Sequence, residues 1–102
     1  MSANTFSGNF KDKQYKFILF VAGDEPNSMM ARQNLADLCE QELKGRSQIK
    51  IVDVMEDFDS AEAHNILLTP TLLVQNSSPD IMVIGNLNNR KKVRAALHLP
   101  LE

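Results

Sequence analysis

Tyr15-Lys16-Phe17-Ile18-Leu19-Phe20-Val21-Ala22 is a short, almost continuously apolar run, rich in β-branched and aromatic side chains and stopped by Gly23. Such a run predicts a strand buried on both faces, with layers above and below it. The residues that follow, Asp24-Glu25-Pro26-Asn27-Ser28, predict a turn into a helix, with acids at the positive end of the helix dipole. Over about residues 28–44, Ala31, Leu35, Leu38, Cys39 and Leu43 recur at steps of three and four and form one inward stripe. Arg32, Gln33, Asp37, Glu40 and Gln41 fall outside that stripe. Glu40 and Lys44 stand at the favourable i,i+4 spacing, and Gly45 suits a helix stop.

Outward from this unit, Gln48-Ile49-Lys50-Ile51-Val52-Asp53-Val54 predicts a second strand. A helix-length crossover separates it from the first, so the two should run parallel. Asp59, with Glu62 three residues on, fits a capping box for a short helix ending near Leu67 or Leu68. Pro70 stops that helix and pushes Thr69 toward extended geometry. Thr71-Leu72-Leu73-Val74-Gln75 and Ile81-Met82-Val83-Ile84 predict an antiparallel hairpin around the turn cluster Asn76-Ser77-Ser78-Pro79-Asp80. Gly85 ends the hairpin, and Asn88 or Asn89 caps a last helix with Val93, Ala96 and Leu97 inward and Pro100 as its stop. The order β-α-β-α-β-β-α predicts an α/β, thioredoxin-like architecture: a central mixed sheet with helices on both faces. Residues 1–14, mostly small and polar, read as a loose N-terminal arm, and residues 15–102 as the domain.

Composition narrows the function. At 102 residues, 43% hydrophobic and 24% charged, the chain has the make-up of one ordinary globular domain. A net charge of −2, from 11 basic and 13 acidic residues, gives no bulk attraction to nucleic acid or to an acidic membrane. One cysteine forms no internal disulfide and fills no structural zinc site. The N-terminal residues lack a basic segment followed by an apolar one. The longest apolar run, residues 17–22, is far short of the roughly 20 needed to span a bilayer. A cytoplasmic location is therefore expected, and the sequon Asn76-Ser77-Ser78 reads as a bystander.

The chemistry-bearing residues point to binding rather than catalysis. A dithiol oxidoreductase needs two cysteines at the turn that opens the first helix. That turn here has none, and Cys39, well inside the helix on its apolar stripe, reads as a buried small hydrophobe. Thr69-Pro70-Thr71 has the form of the cis-proline loop of thioredoxin-like proteins, which would set the Thr69 backbone beside the helix-opening turn; the isomer stays open. Asp53, Glu56, Asp57, Asp59 and Glu62 form an acidic run without the Asp-x-Asp-x-Asp-Gly loop of a calcium site, and read as a solvated face. His64 and His98 lack partners at ligand spacing. No metal, cofactor or catalytic residue is expected. Arg90, Lys91, Lys92 and Arg94 make a basic cluster without interleaved aromatics: either a solvated helix face or a surface for an acidic partner, not a nucleic-acid platform.

Four segments, in order, resemble a known family. Ala22-Gly23-Asp24-Glu25-Pro26-Asn27-Ser28 is similar to the A-G-x-x-P-N-S pattern of the KaiB family. Ile51-Val52-Asp53-Val54 resembles its second strand, and Leu68-Thr69-Pro70-Thr71-Leu72 its A-T-P-T-L segment. Ile84-Gly85-Asn86-Leu87 with Arg90-Lys91-Lys92-Val93 resembles its I-G-D-L-S-D-R-E-K-V stretch. The likeness spans about residues 15–98. Asn86 and Asn89 stand where that pattern has aspartates, the arm is longer than usual, and the long acidic tail of cyanobacterial members is not present in these 102 residues.

The resemblance implies a non-enzymatic accessory of a clock, or of a clock-like or stress-related system. It implies an adaptor that binds a KaiC-like ring ATPase and helps recruit KaiA, and a metamorphic chain that exchanges a ground fold, commonly a tetramer, for a thioredoxin-like monomer. On this basis Asp24, Pro26, Asn27, Thr69, Pro70, Arg90, Lys91 and Arg94 are expected to touch the partner. Gly85, Asn86 and Asn89 are expected to act in the fold switch. The alternative is a peptide- or kinase-binding module held in one fold, since the family's relatives include the sensor domain of a clock output kinase. Self-association as a homodimer or homotetramer stays open.

Overall fold

The structure is a computed structural model that describes residues 14–76 and 79–99. The N-terminal arm (all but Gln14), the two serines of the sequon and the Pro100 stop lie outside the described residues. The elements are β1 (Tyr15–Val21), α1 (Pro26–Glu42), β2 (Ser47–Asp53), α2 (Phe58–Ala63), β3 (Thr71–Val74), β4 (Ile81–Ile84) and α3 (Arg90–Ala96). The expected β-α-β-α-β-β-α order is the observed one.

The four strands lie in the order β2-β1-β3-β4. β1 is parallel to β2 and antiparallel to β3, and β3 is antiparallel to β4. β1 therefore sits inside a mixed sheet, which explains its unbroken apolar run: Phe17, Leu19, Phe20 and Val21 are at most 2% exposed. Alternation assigns its side chains to two cores. Phe17, Leu19 and Val21 meet Ala31, Leu35 and Leu38 of α1 and Val93 of α3 on one face. Ile18 and Phe20 meet Val52, Leu73 and Ala61 of α2 on the other. Burying a side chain of this size stabilises by roughly 1.5–3 kcal/mol, so the two-faced β1 anchors both layers.

Several boundaries differ from expectation. α1 begins at Pro26, not Ser28, because proline fits the first helical turn, where its missing N–H costs nothing. Glu25 is the N-cap, its carboxylate accepting the Ser28 N–H at 2.9 Å. α1 ends at Glu42, so Lys44 lies beyond it and makes no ion pair with Glu40. Gly45, at φ +69°, turns the chain toward β2. β2 starts and ends one residue earlier than expected.

α2 is capped by Asp57, not Asp59. The Asp53 carbonyl takes the N–H groups of both Glu56 and Asp57, which fixes the turn so that Asp57 faces the Ser60 N–H at 3.1 Å. α2 stops at Ala63, short of Leu67, since Asn65 turns out of helical space at φ +59°. Asn89, not Asn88, caps α3, accepting the Lys92 N–H at 3.1 Å.

Candidate partner-binding surface

The pairing register brings Asp53 beside Val21, Phe20 beside Thr71 and Thr71 beside Ile84. The ends of β1, β2 and β4 thus lie together with the start of β3. Three of the sequence-derived segments converge on this end: the helix-opening turn, the loop before β3 and the stretch after β4.

Hydrogen bonds join them. The Gly85 N–H donates to the Pro70 carbonyl at 2.9 Å. Asn86 Nδ2 donates to Asn27 Oδ1 at 3.1 Å, and Asn34 Nδ2 donates to the Asn86 carbonyl at 2.8 Å. Asn86 Oδ1 accepts the Asn88 N–H at 3.1 Å, which shapes the turn into α3. The Asp53 carboxylate accepts the N–H groups of Gly23 at 3.1 Å and Met55 at 3.0 Å, tying the β2–α2 turn to the β1–α1 turn. Ser28, fully buried, accepts the Ala22 N–H on Oγ at 3.0 Å. Bonds from the Ser28 and Asn27 main chain hold the Glu25 carboxyl below its ordinary pKa, so it is ionised at the helix N-terminus.

The Thr69–Pro70 bond is cis. Pro70 is buried, Thr69 is half-buried, and Thr71 Oγ1 donates to the Leu68 carbonyl at 2.7 Å. Among the described residues the Thr69 main-chain N–H and C=O have no hydrogen-bond partner. Asp24, Pro26 and Asn27 are exposed on the same end. Large apolar side chains are exposed there too: Met29 and Met30 early in α1, Met55 and Phe58 before and in α2, and Leu67 and Leu68 before Pro70.

The basic cluster divides. Arg90 Nη1 reaches Gln41 Oε1 at 2.9 Å and Glu42 Oε2 at 3.2 Å, and Arg94 pairs with the other Glu42 oxygen. These two arginines clamp α3 to the end of α1. Lys91 and Lys92 are exposed. Gly85 takes φ +118°, a conformation that penalises any side chain.

Cys39 is buried in the α1 core, and burial pushes its thiol pKa up, as an inert core cysteine requires. His64 is half-buried with its ring against Phe20, and its Nδ1 lies 2.9 Å from the Ser60 carbonyl oxygen. His98 is exposed. Of the acidic run, Asp53 and Asp57 are used as turn and cap acceptors. Sequence reasoning missed Ser28, Asn34 and Glu42 as organisers of this architecture. Only Ser28 carried a local signal, as a hydroxyl next to a helix start.

The KaiB domain family model matches residues 18–99. The chain belongs to the KaiB family. The circadian clock oscillator protein KaiB of Rippkaea orientalis is 42% identical over 90% or so of both chains (92% of this one, 89% of the relative). KaiB of Thermosynechococcus vestitus is 41% identical over 90 residues, 88% of this chain and 83% of that protein. The fold is that of thioredoxin-like proteins. The N-terminal domain of Synechococcus elongatus SasA superposes with a TM-score of 0.68 at 16% identity, covering 84% of this chain and 85% of that one. Mitochondrial thioredoxin 3 of Saccharomyces cerevisiae gives 0.68 at 20% identity, covering 95% and 90%. Residues 22–28, 68–72 and 84–87, three of the segments that carry the sequence resemblance, converge on the sheet end.

Proposed function

We propose that this chain is a non-enzymatic, KaiB-like clock or clock-like regulator. It acts in the cytoplasm as an adaptor that docks on a KaiC-like ring ATPase, in a circadian or stress-related system. The observation that carries this reading is the convergence of the helix-opening turn, the cis-proline loop and the Gly85–Asn86 stretch on one sheet end, in a chain of the KaiB family. Asp24, Pro26, Asn27, Thr69 and Pro70 form the contact surface. Arg90, Lys91 and Arg94 flank it on α3. Gly85, Asn86 and Asn89 set the balance between two folds, which the partner shifts by preferring one. A homodimer or homotetramer belongs to the other fold. No cofactor or metal enters the mechanism.

The test is co-elution with a KaiC-like ATPase from the same genome, with and without nucleotide. A complex in at least one nucleotide state supports the reading. No complex in any state after hours of incubation overturns it.

The exposed Leu67 and Leu68, beside the unpartnered Thr69 main chain, favour a second reading: a peptide- or kinase-binding module that keeps one fold. One set of amide resonances and a monomer at high concentration distinguish it from the first.

A further inference from the structure

The molecule separates its charges along the sheet. Between Phe17 and Ala31, and again between Ile51 and Asn89, the sequence contains no Lys or Arg. Those two stretches supply the β1–α1 turn, the β2–α2 turn and the loop before Pro70. They place Asp24, Glu25, Glu56, Asp57 and Asp59 on the surface, all exposed. None is in an ion pair, because both ion pairs among the described residues end on Glu42. Apart from Arg90, Lys91, Lys92 and Arg94 on the flanking α3, the cations lie elsewhere. Arg32 projects from the body of α1 and Lys50 lies further back along β2. Lys44 and Arg46 follow α1 at the opposite end, where the Arg46 carbonyl accepts the Tyr15 N–H.

The same acidic end carries the most exposed of the large apolar side chains among the described residues: Leu67 at 91%, Met55 at 76%, Phe58 at 66% and Leu68 at 59%. α2 is six residues long and stops at Ala63, too short to cover them. Loop tips are ordinarily polar, and apolar groups gathered inside a charged rim mark an interaction surface.

We propose that this end, from Met55 to Leu68, docks a protein segment that is both apolar and cationic, with Leu- or Phe-like side chains for the exposed apolar groups and Lys or Arg for the rim. An anionic lipid headgroup or a nucleic acid meets only like charge here. The proposal rests on the reading of this end as a partner surface and adds the chemistry of what it receives.

The probe is a labelled amphipathic helix of Leu and Lys, with the same helix in Leu and Glu as its counterpart. Binding is read by fluorescence anisotropy and by amide shifts of the full chain. The expected result is saturable binding of the Lys helix, with shifts at Met55, Phe58, Leu67 and Leu68. Affinity should fall by about tenfold or more in the Glu56→Lys/Asp59→Lys double variant, and similarly in Phe58→Ser/Leu67→Ser. Lys44→Glu, beyond the C-terminus of α1 at the opposite end, should leave it within about twofold. Circular dichroism confirms that each variant folds.

No binding of the Lys helix, equal binding of the Glu helix, shifts centred on α3, or equally strong binding to phosphatidylglycerol vesicles each overturns the proposal. A KaiC-like ring that binds the protein and leaves a bound Lys helix in place overturns the docking site while preserving the adaptor reading. Binding of the Lys helix here, with no ring complex, does the reverse.

Discussion

Asn86 Nδ2 donates to Asn27 Oδ1 across 59 positions of sequence, so the stretch after β4 is latched to the first turn of α1 by one amide pair. Asn86 also accepts the Asn88 N–H on Oδ1 and the Asn34 amide on its carbonyl. Asn86→Ala removes both side-chain bonds and leaves the carbonyl one. At this half-buried position the thioredoxin-like state should lose about 1 kcal/mol, read as a lower urea midpoint. The Asn27 and Asn88 amide resonances should move. An unchanged midpoint would show that the latch adds nothing.

Ser28 is the buried counterpart of that latch. Its Oγ takes the Ala22 N–H just where β1 ends, and its own N–H caps onto Glu25. Ser28→Ala strands the Ala22 donor in a half-buried position and should destabilise the fold by about 1–2 kcal/mol. Chemical denaturation measures it. Thr in place of Ser28 keeps the hydroxyl, yet adds a methyl group in a fully buried site, so it should recover only part of the loss.

Glu42 holds α3 through two arginines. With Arg94 14% exposed and Glu42 19% exposed, their pair is shielded more than an open surface bridge is. Glu42→Gln should cost about 1–2 kcal/mol and raise amide exchange in α3 more than in β1. Arg90→Ala, which removes the more exposed pair, should cost less. In the parent protein α3 should loosen in molar salt, whereas in Glu42→Gln that salt response should be largely gone.

Cys39 gives a pH prediction. Burial raises its folded pKa above the unfolded one, so the thiol is neutral in the native state. Its contribution to stability is complete below the unfolded pKa and is lost as pH rises through the folded pKa. Stability should therefore decline on the alkaline side, and less so in Cys39→Ala. Ellman's reagent should modify the native thiol slowly at pH 8 and at once in urea.

The elements were legible because their signals are local. The apolar stripe of α1 and the unbroken run of β1 need no knowledge of the rest of the chain, and both are where periodicity put them. The cap of α2 was not, since Asp57 and Asp59 are equally good capping residues, and the choice falls to the Asp53 carbonyl at the end of β2. The start of α1 was misread because Glu25 is an unusual N-cap and the Pro26 ring reads equally as turn or as first helical residue. Glu42 drew no reading from the sequence, and Arg90 and Arg94 read as a solvated helix face or as a surface for an acidic partner. Their meeting depends on how α3 lies across α1, which no local window contains. The convergence of residues 22–28, 68–71 and 85–89 is likewise a property of the sheet order.

The mixed sheet also orders the steps of folding. β3 and β4 are joined by the short connection 75–80 and need no third partner to pair; hairpins of this kind close in about 1–10 μs. β1, by contrast, finds β2 only across a complete helix, and meets β3 through partners such as Phe17 and Val74, far apart in the chain. Loop-closure entropy makes the docking of the hairpin onto β1 the slow event. Until the hairpin docks, one flank of β1 waits unpaired, an open seam that the last third of the chain must find and close.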